Sequence, residues 1–147
     1  MNKKTIKKIY CFGNEDIKED AVALELADLL NKDSDMKDKN IEFIKCTNPD
    51  IFLSKDAENK NIIIIDVVKG IDDIKVIKDI NELKNTKIST MHDFDLGTVL
   101  KLLKEVGKIN EVRIIGIPYG KKVNEIDVRR LKINLSQYLI PKNENCS

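Results

Sequence analysis

The run Asn61-Ile62-Ile63-Ile64-Ile65-Asp66-Val67-Val68 constrains this chain more than any other stretch. Nearly every residue in it is β-branched and apolar, and polar residues do not alternate through it. Such a run reads as a strand buried on both faces, as at the centre of a parallel sheet covered by helices. A buried helix could show the same run, but its short length and nearly complete β-branching favour a strand. The one carboxylate, Asp66, stands where the strand is expected to leave the sheet. Ligands of open α/β sheets bind outside the carboxyl ends of the strands, so Asp66 is a site candidate. Position alone leaves a second reading open, in which Asp66 only caps a turn or a helix.

The rest of the chain supplies partners for that strand. Thr5–Phe12 reads as a first strand, with Ile6, Ile9, Cys11 and Phe12 as its apolar side, and Gly13-Asn14 ends it with residues that tolerate positive φ. A helix follows from Asp20 to about Asn31, with Val22, Leu26, Leu29 and Leu30 at helical spacing. A charged loop over 31–40 leads to a second strand, Ile41–Cys46, and to a short helix from Ile51 to about Ala57. After the central strand, Lys75–Ile80 reads as a charged edge strand. A helix entered through His92 carries Leu96, Val99, Leu100, Leu103 and Val106, with Gly107 closing it. Val112–Ile117 is a further strand stopped by Pro118, and a last amphipathic helix spans roughly Asn124–Tyr138.

This alternation predicts a single domain of 147 residues in the α/β class, a three-layer α/β/α sandwich with a mostly parallel central sheet of about five strands. The ends, 1–4 and 142–147, are expected to fray.

Composition narrows the function classes. Lys+Arg 26 against Asp+Glu 25 leaves no net basic field to hold nucleic acid or an anionic membrane. No apolar run approaches the ~20 residues of a membrane span, and the N-terminus lacks the apolar region of a signal peptide. Three cysteines, Cys11, Cys46 and Cys146, lie far apart without zinc or CxxC spacing. They read as reduced thiols of a cytoplasmic protein, Cys11 and Cys46 as core filler. No glycine-rich phosphate motif is present, and the acidic loop after the first strand would repel phosphate.

If the sheet is parallel, Gly13-Asn14, Asp66 and Pro118 reach one edge together, and Asp20 can fold back over it. His92 is the only histidine, so any catalytic arrangement that needs an imidazole must use it. Two carboxylates and one imidazole suit a borderline divalent ion such as nickel or zinc. Their separations in sequence match no local metal motif. A structural reading stands beside this one: a lone histidine is more often a surface or capping residue. Glu15, Asp16, Glu19, Asp72, Asp73, Asp93 and Asp95 read mostly as solvated charges or caps.

The ordered set of motifs resembles the [NiFe]-hydrogenase maturation endopeptidases. The residues that carry the resemblance are Phe12-Gly13-Asn14 followed by the acidic Glu19-Asp20, the strand end Ile64-Ile65-Asp66-Val67, the segment Ser89-Thr90-Met91-His92 entering a helix, and Ile115-Gly116-Ile117-Pro118. The chain departs from the pattern where Ala21 and Ala23 replace glycines after the acidic pair, and where that pair begins with Glu19. It is therefore read as a divergent member. The resemblance implies an endopeptidase that removes the C-terminal extension of a [NiFe]-hydrogenase large-subunit precursor. It implies that Asp20, Asp66 and His92 are the metal-contacting and catalytic residues and that the nickel is carried by the precursor. With no obvious nucleophile in the chain, an attacking water is the simplest choice.

Two other readings remain at this point. One is a receiver-like phosphoacceptor domain with Asp66 as acceptor and Lys121 or Lys122 as its lysine. The other is a non-catalytic member that only binds a precursor.

Overall fold

The computed structural model describes residues 6–52, 61–79 and 91–139. The expected tails and the end of the short helix expected after Ile51 lie outside these residues. Five strands form one sheet: β1 (Lys7–Phe12), β2 (Ile41–Cys46), β3 (Asn61–Val68), β4 (Lys75–Ile77) and β5 (Glu111–Pro118), in the order β2-β1-β3-β5-β4. The β2–β1, β1–β3 and β3–β5 pairs are parallel, and β4 runs antiparallel on the outer edge of β5. The run that dominates the sequence is thus the central strand, and Ile62 through Val68 are all buried. Receiver domains share the flavodoxin-like order 2-1-3-4-5, in which the outer strand is parallel. This sheet differs from that order at both positions.

Helices cover both faces. α1 (Val22–Asn31), α2 (Ser34–Asp38) and α4 (Val128–Leu139) lie on one side, where Leu26, Leu30, Met36, Leu131 and Leu135 meet Ile9, Cys11, Ile63, Ile65 and Ile115. α3 (Met91–Glu105) and a 3₁₀ turn at Pro49–Phe52 lie on the other, where Leu96, Leu100 and Leu103 meet Tyr10, Phe12, Ile62, Ile64 and Ile114.

Several sequence expectations shift. α1 begins at Val22 rather than Asp20, and the region read as a charged loop holds α2, capped by Asp33 Oδ1, which accepts from Asp35 N and Met36 N. Leu29 and Val106, assigned to buried stripes, are exposed, as is Ile6. In α1 the buried face instead uses Ala23 and Ala27, small residues that bring the helix close to β1 and β3.

The edge strand β2 is closed by one side chain. Asn31, the last residue of α1, donates from Nδ2 to the Phe43 carbonyl and accepts from the Phe43 amide at Oδ1, both at 2.8 Å. An amide is the side chain that can mimic a neighbouring strand in both directions, and it occupies groups that would otherwise template edge pairing. Asn31→Asp turns the donor into an acceptor facing a carbonyl. Urea unfolding is expected to show a loss of about 1–3 kcal/mol. An unchanged midpoint would show that the clamp contributes nothing.

Candidate functional site

Asp66 lies within β3, two residues before the strand ends, rather than beyond it. It pairs in register with Gly116 of β5. On its other side β1 has nearly ended, since the last β1–β3 pair is Cys11–Ile65. There the carboxylate turns back on its own strand, and Oδ1 accepts from Val67 N at 2.9 Å. This is neither a helix cap nor a turn. The alternation of β3 puts Asp66 on the face of Ile62, Ile64 and Val68, the face covered by α3.

Asp20 reaches the same edge by a compact loop. Asn14 Oδ1 accepts from Asp16 N, Ile17 N donates to Asn14 O, and Asp20 N and Ala21 N both donate to Ile17 O. The chain thereby folds back over the end of β1. It comes so close that a Cβ on Gly13 would stand 2.5 Å from the Asp20 carbonyl oxygen and 3.0 Å from Leu24 Cγ. The expectation that Gly13 and Asn14 use positive φ does not hold. Asn14 turns the chain with its side chain, and Gly13 is needed for close approach. A glycine that directly follows a buried strand was the available signal, but spacing alone could not say what would lie against it.

Burial separates these two carboxylates from the other acids among the described residues. Asp20 is 1% exposed and Asp66 4%, and among the described residues they are the only buried charged groups. Burying a carboxylate is costly unless its surroundings or a ligand compensate it. The N-cap position of α1 is Ala21, which makes no side-chain cap. The other acids that competed for the site, Glu15, Asp16, Glu19, Asp72 and Asp73, are exposed.

His92 falls in the first turn of α3, and its side chain lies outside the described residues, as do those of Asp93 and Asp95. The helix itself is placed by the strand it leads into. α3 feeds β5 through the short connection 106–110, and β5 is parallel to β3. A helix that enters a parallel strand this way ends at the strand's amino edge and begins near its carboxyl edge. Fifteen residues of helix rise about 22 Å, close to the length of an eight-residue strand, so the start of α3 reaches the edge where Asp66 stands. Among the described residues the strand before α3, β4, is antiparallel and does not itself give this placement. The placement comes from β5 instead. No cluster of three metal-ligating side chains occurs among the described residues.

The two described thiols, Cys11 and Cys46, are held in the protonated form at neutral pH. Burial pushes the Cys46 thiol up to about 11, and burial pushes Cys11 up further, with Cys46 and the Asp66 charge adding to it. Protonated thiols are poor nucleophiles, which agrees with their expected place in the core. Among the described residues no helix is long and apolar enough to cross a membrane.

Several solved structures with this fold are described as hydrogenase maturation proteases. The structure is similar to the [NiFe] hydrogenase maturation protease HybD from Thermococcus kodakarensis, with a TM-score of 0.63 and 22% identity over 90% of this chain and 99% of that one. It is similar to the hydrogenase maturating endopeptidase HybD from E. coli, with a TM-score of 0.61 and 13% identity over 91% and 90%. It is also similar to the maturation protease HycI from Thermococcus kodakarensis KOD1, with a TM-score of 0.56 and 19% identity over 92% and 93%. At these identities the likeness establishes the fold. No curated protein matches the sequence. The family profile HycI, hydrogenase maturation protease, matches residues 24–137, which takes in Asp66 and His92 and starts just after Asp20. Because that match runs from α1 into α4, over most of the chain, this protein belongs to the hydrogenase maturation protease family.

Proposed function

We propose that this protease removes the C-terminal extension from the nickel-loaded precursor of a [NiFe]-hydrogenase large subunit, with Asp20, Asp66 and His92 engaging the precursor's metal. The observation that carries this reading is the burial of Asp20 and Asp66, and of no other charged group among the described residues, at one edge of the sheet. Asp66 comes from β3, and Asp20 from the loop packed against the end of the adjacent β1. His92 opens the helix that reaches that edge, one turn ahead of the buried Leu96.

Two carboxylates and an imidazole form a donor set suited to a divalent ion of borderline softness. The nickel arrives with the substrate, so the protein's task is to hold it and orient the peptide beside it. No buried thiol serves as a nucleophile, and an attacking water is the simplest choice. The same donor set makes cleavage depend on metal insertion. A precursor without nickel offers these residues no metal to hold, and its scissile bond is not positioned.

Nickel-loaded and nickel-free precursors, each mixed with the purified protease in the absence of other maturation factors, test this reading. The loaded precursor is expected to shorten and the unloaded one to remain intact. Equal cleavage of both would remove the metal from recognition. A loaded precursor that binds and is never cut would make the protein a binding module. Nickel added to the protease alone, followed by calorimetry, shows whether the three residues already form a site without the precursor.

A further inference from the structure

Beside the buried carboxylates, the same edge carries a cation stacked on an aromatic ring. Lys69 and Tyr119 are the first residues beyond β3 and β5, the two central parallel strands. The register continues into this rung, because Val68 pairs with Pro118 and Tyr119 N donates to Val68 O at 3.1 Å. Lys69 Nζ lies 4.6 Å from the centroid of the Tyr119 ring. The ring is 41% exposed, although residues 114–118 of β5 are all buried. Among the described residues Lys69 makes no ion pair. The neighbouring loops present Glu15, Asp16 and Glu19 after β1, with Lys18 among them, and Asp72 and Asp73 after β3, where Asp73 is paired with Arg130; Lys121 and Lys122 follow Tyr119.

We propose that the Lys69–Tyr119 pair is a specificity determinant that binds an acidic side chain of the precursor within about three residues of the scissile bond. The distance comes from the strand. Lys69 is three residues beyond Asp66, about 10 Å along extended backbone and on the other face of the sheet by the alternation of β3, and an extended substrate crossing the strand ends covers that span in three residues. The sign comes from the charges. An anionic group at this edge is repelled by the acidic loops and attracted to the ammonium that stands on the exposed ring. The ring restricts the lysine's side chain and leaves its outward donors to a ligand. The hydrogen bond from the Tyr119 amide to the Val68 carbonyl fixes both bases of the pair to the strands that hold the site. This inference rests on the protease reading, in which the bond to be cut lies beside Asp66.

The test measures cleavage kinetics of the nickel-loaded precursor, and its binding by calorimetry, at low and moderate salt. Lys69→Gln and Tyr119→Leu are expected to raise KM and Kd about three- to fivefold with kcat unchanged, as for a partly exposed charge contact. Lys69→Glu is expected to raise them about tenfold or more, since it sets like charges together. Salt dependence of KM should flatten in Lys69→Gln. Lys69→Arg and Tyr119→Phe keep the charge and the ring and should stay near wild type. Lysine placed in the precursor at the recognised acidic position should restore Lys69→Glu. Wild-type KM and salt dependence in Lys69→Gln would overturn the proposal while leaving the protease reading intact. If the wild type binds precursor without cutting it, the protease reading fails and the Kd series still decides the role of Lys69. If it neither binds nor cuts, both fall.

Discussion

Asp66→Asn is expected to abolish precursor cleavage while the protein folds as before. The exchange is nearly isosteric, and the asparagine carbonyl can still accept the Val67 amide that Asp66 Oδ1 accepts at 2.9 Å. A purely structural Asp66, present to satisfy that amide, would therefore be replaced by asparagine with little loss. Asp66→Ala would leave a buried N–H unsatisfied and cost about 1–3 kcal/mol. A metal-engaging Asp66 behaves in the opposite way. It needs the negative charge, so asparagine fails as badly as alanine. Loss of residues that merely support metal ligands commonly costs ten- to hundredfold, so loss of a direct ligand is expected to lower the cleavage rate by about a hundredfold or more. Thermal unfolding should place Asp66→Asn close to the wild type, because the exchange keeps the shape and the acceptor for Val67 N. Normal cleavage by Asp66→Asn would return the residue to a structural role.

The parts of this molecule that could be read from its sequence are those governed by local pattern. Ile62–Val68 announces a strand covered on both faces because a single polar residue, Asp66, interrupts it, and that strand is central in the sheet. The spacing of Leu96, Leu100 and Leu103 similarly marks the buried side of α3. Pattern misled where the choice of face depends on what packs there. Leu29 and Val106 fit a helical stripe as well as Ala23 and Ala27 do, and only the closeness of α1 to the sheet puts the alanines inside and Leu29 outside. Direction was hidden as well. Nothing in Lys75-Val76-Ile77 distinguishes a parallel from an antiparallel edge strand, yet the antiparallel β4 breaks the α/β alternation just before α3. For the candidate site, residue types and order were legible, and the burial of Asp20 was not. An acid in a run of acids looks solvated; only the fold-back onto Gly13 separates it from the exposed Glu19 beside it.

Gly13→Ala is expected to cost more activity than stability, and that imbalance is its diagnostic. The added Cβ would stand 2.5 Å from the Asp20 carbonyl oxygen, where ordinary contact begins at 3.4 Å. The obstacle is backbone rather than the end of a flexible side chain, and the loop is held by the Asp20 and Ala21 amides on Ile17 O. Relief must come from moving the loop outward by nearly an ångström, and Asp20 moves with it. Overpacking of this kind costs about 1–3 kcal/mol, which a folded domain can lose and remain folded. Catalysis is less forgiving, since a misplacement of about 1 Å can lower a rate about a hundredfold. Gly107→Ala supplies the comparison. Gly107 follows α3 at φ 77°, and a Cβ there would meet nothing within 4 Å, so alanine strains the backbone by about 1 kcal/mol without displacing a neighbour. If stability alone governed activity, the two variants at matched fraction folded would cleave equally. If the approach of Asp20 to the end of β1 sets the site, Gly13→Ala fails and Gly107→Ala does not, because only the first moves a carboxylate away from Asp66.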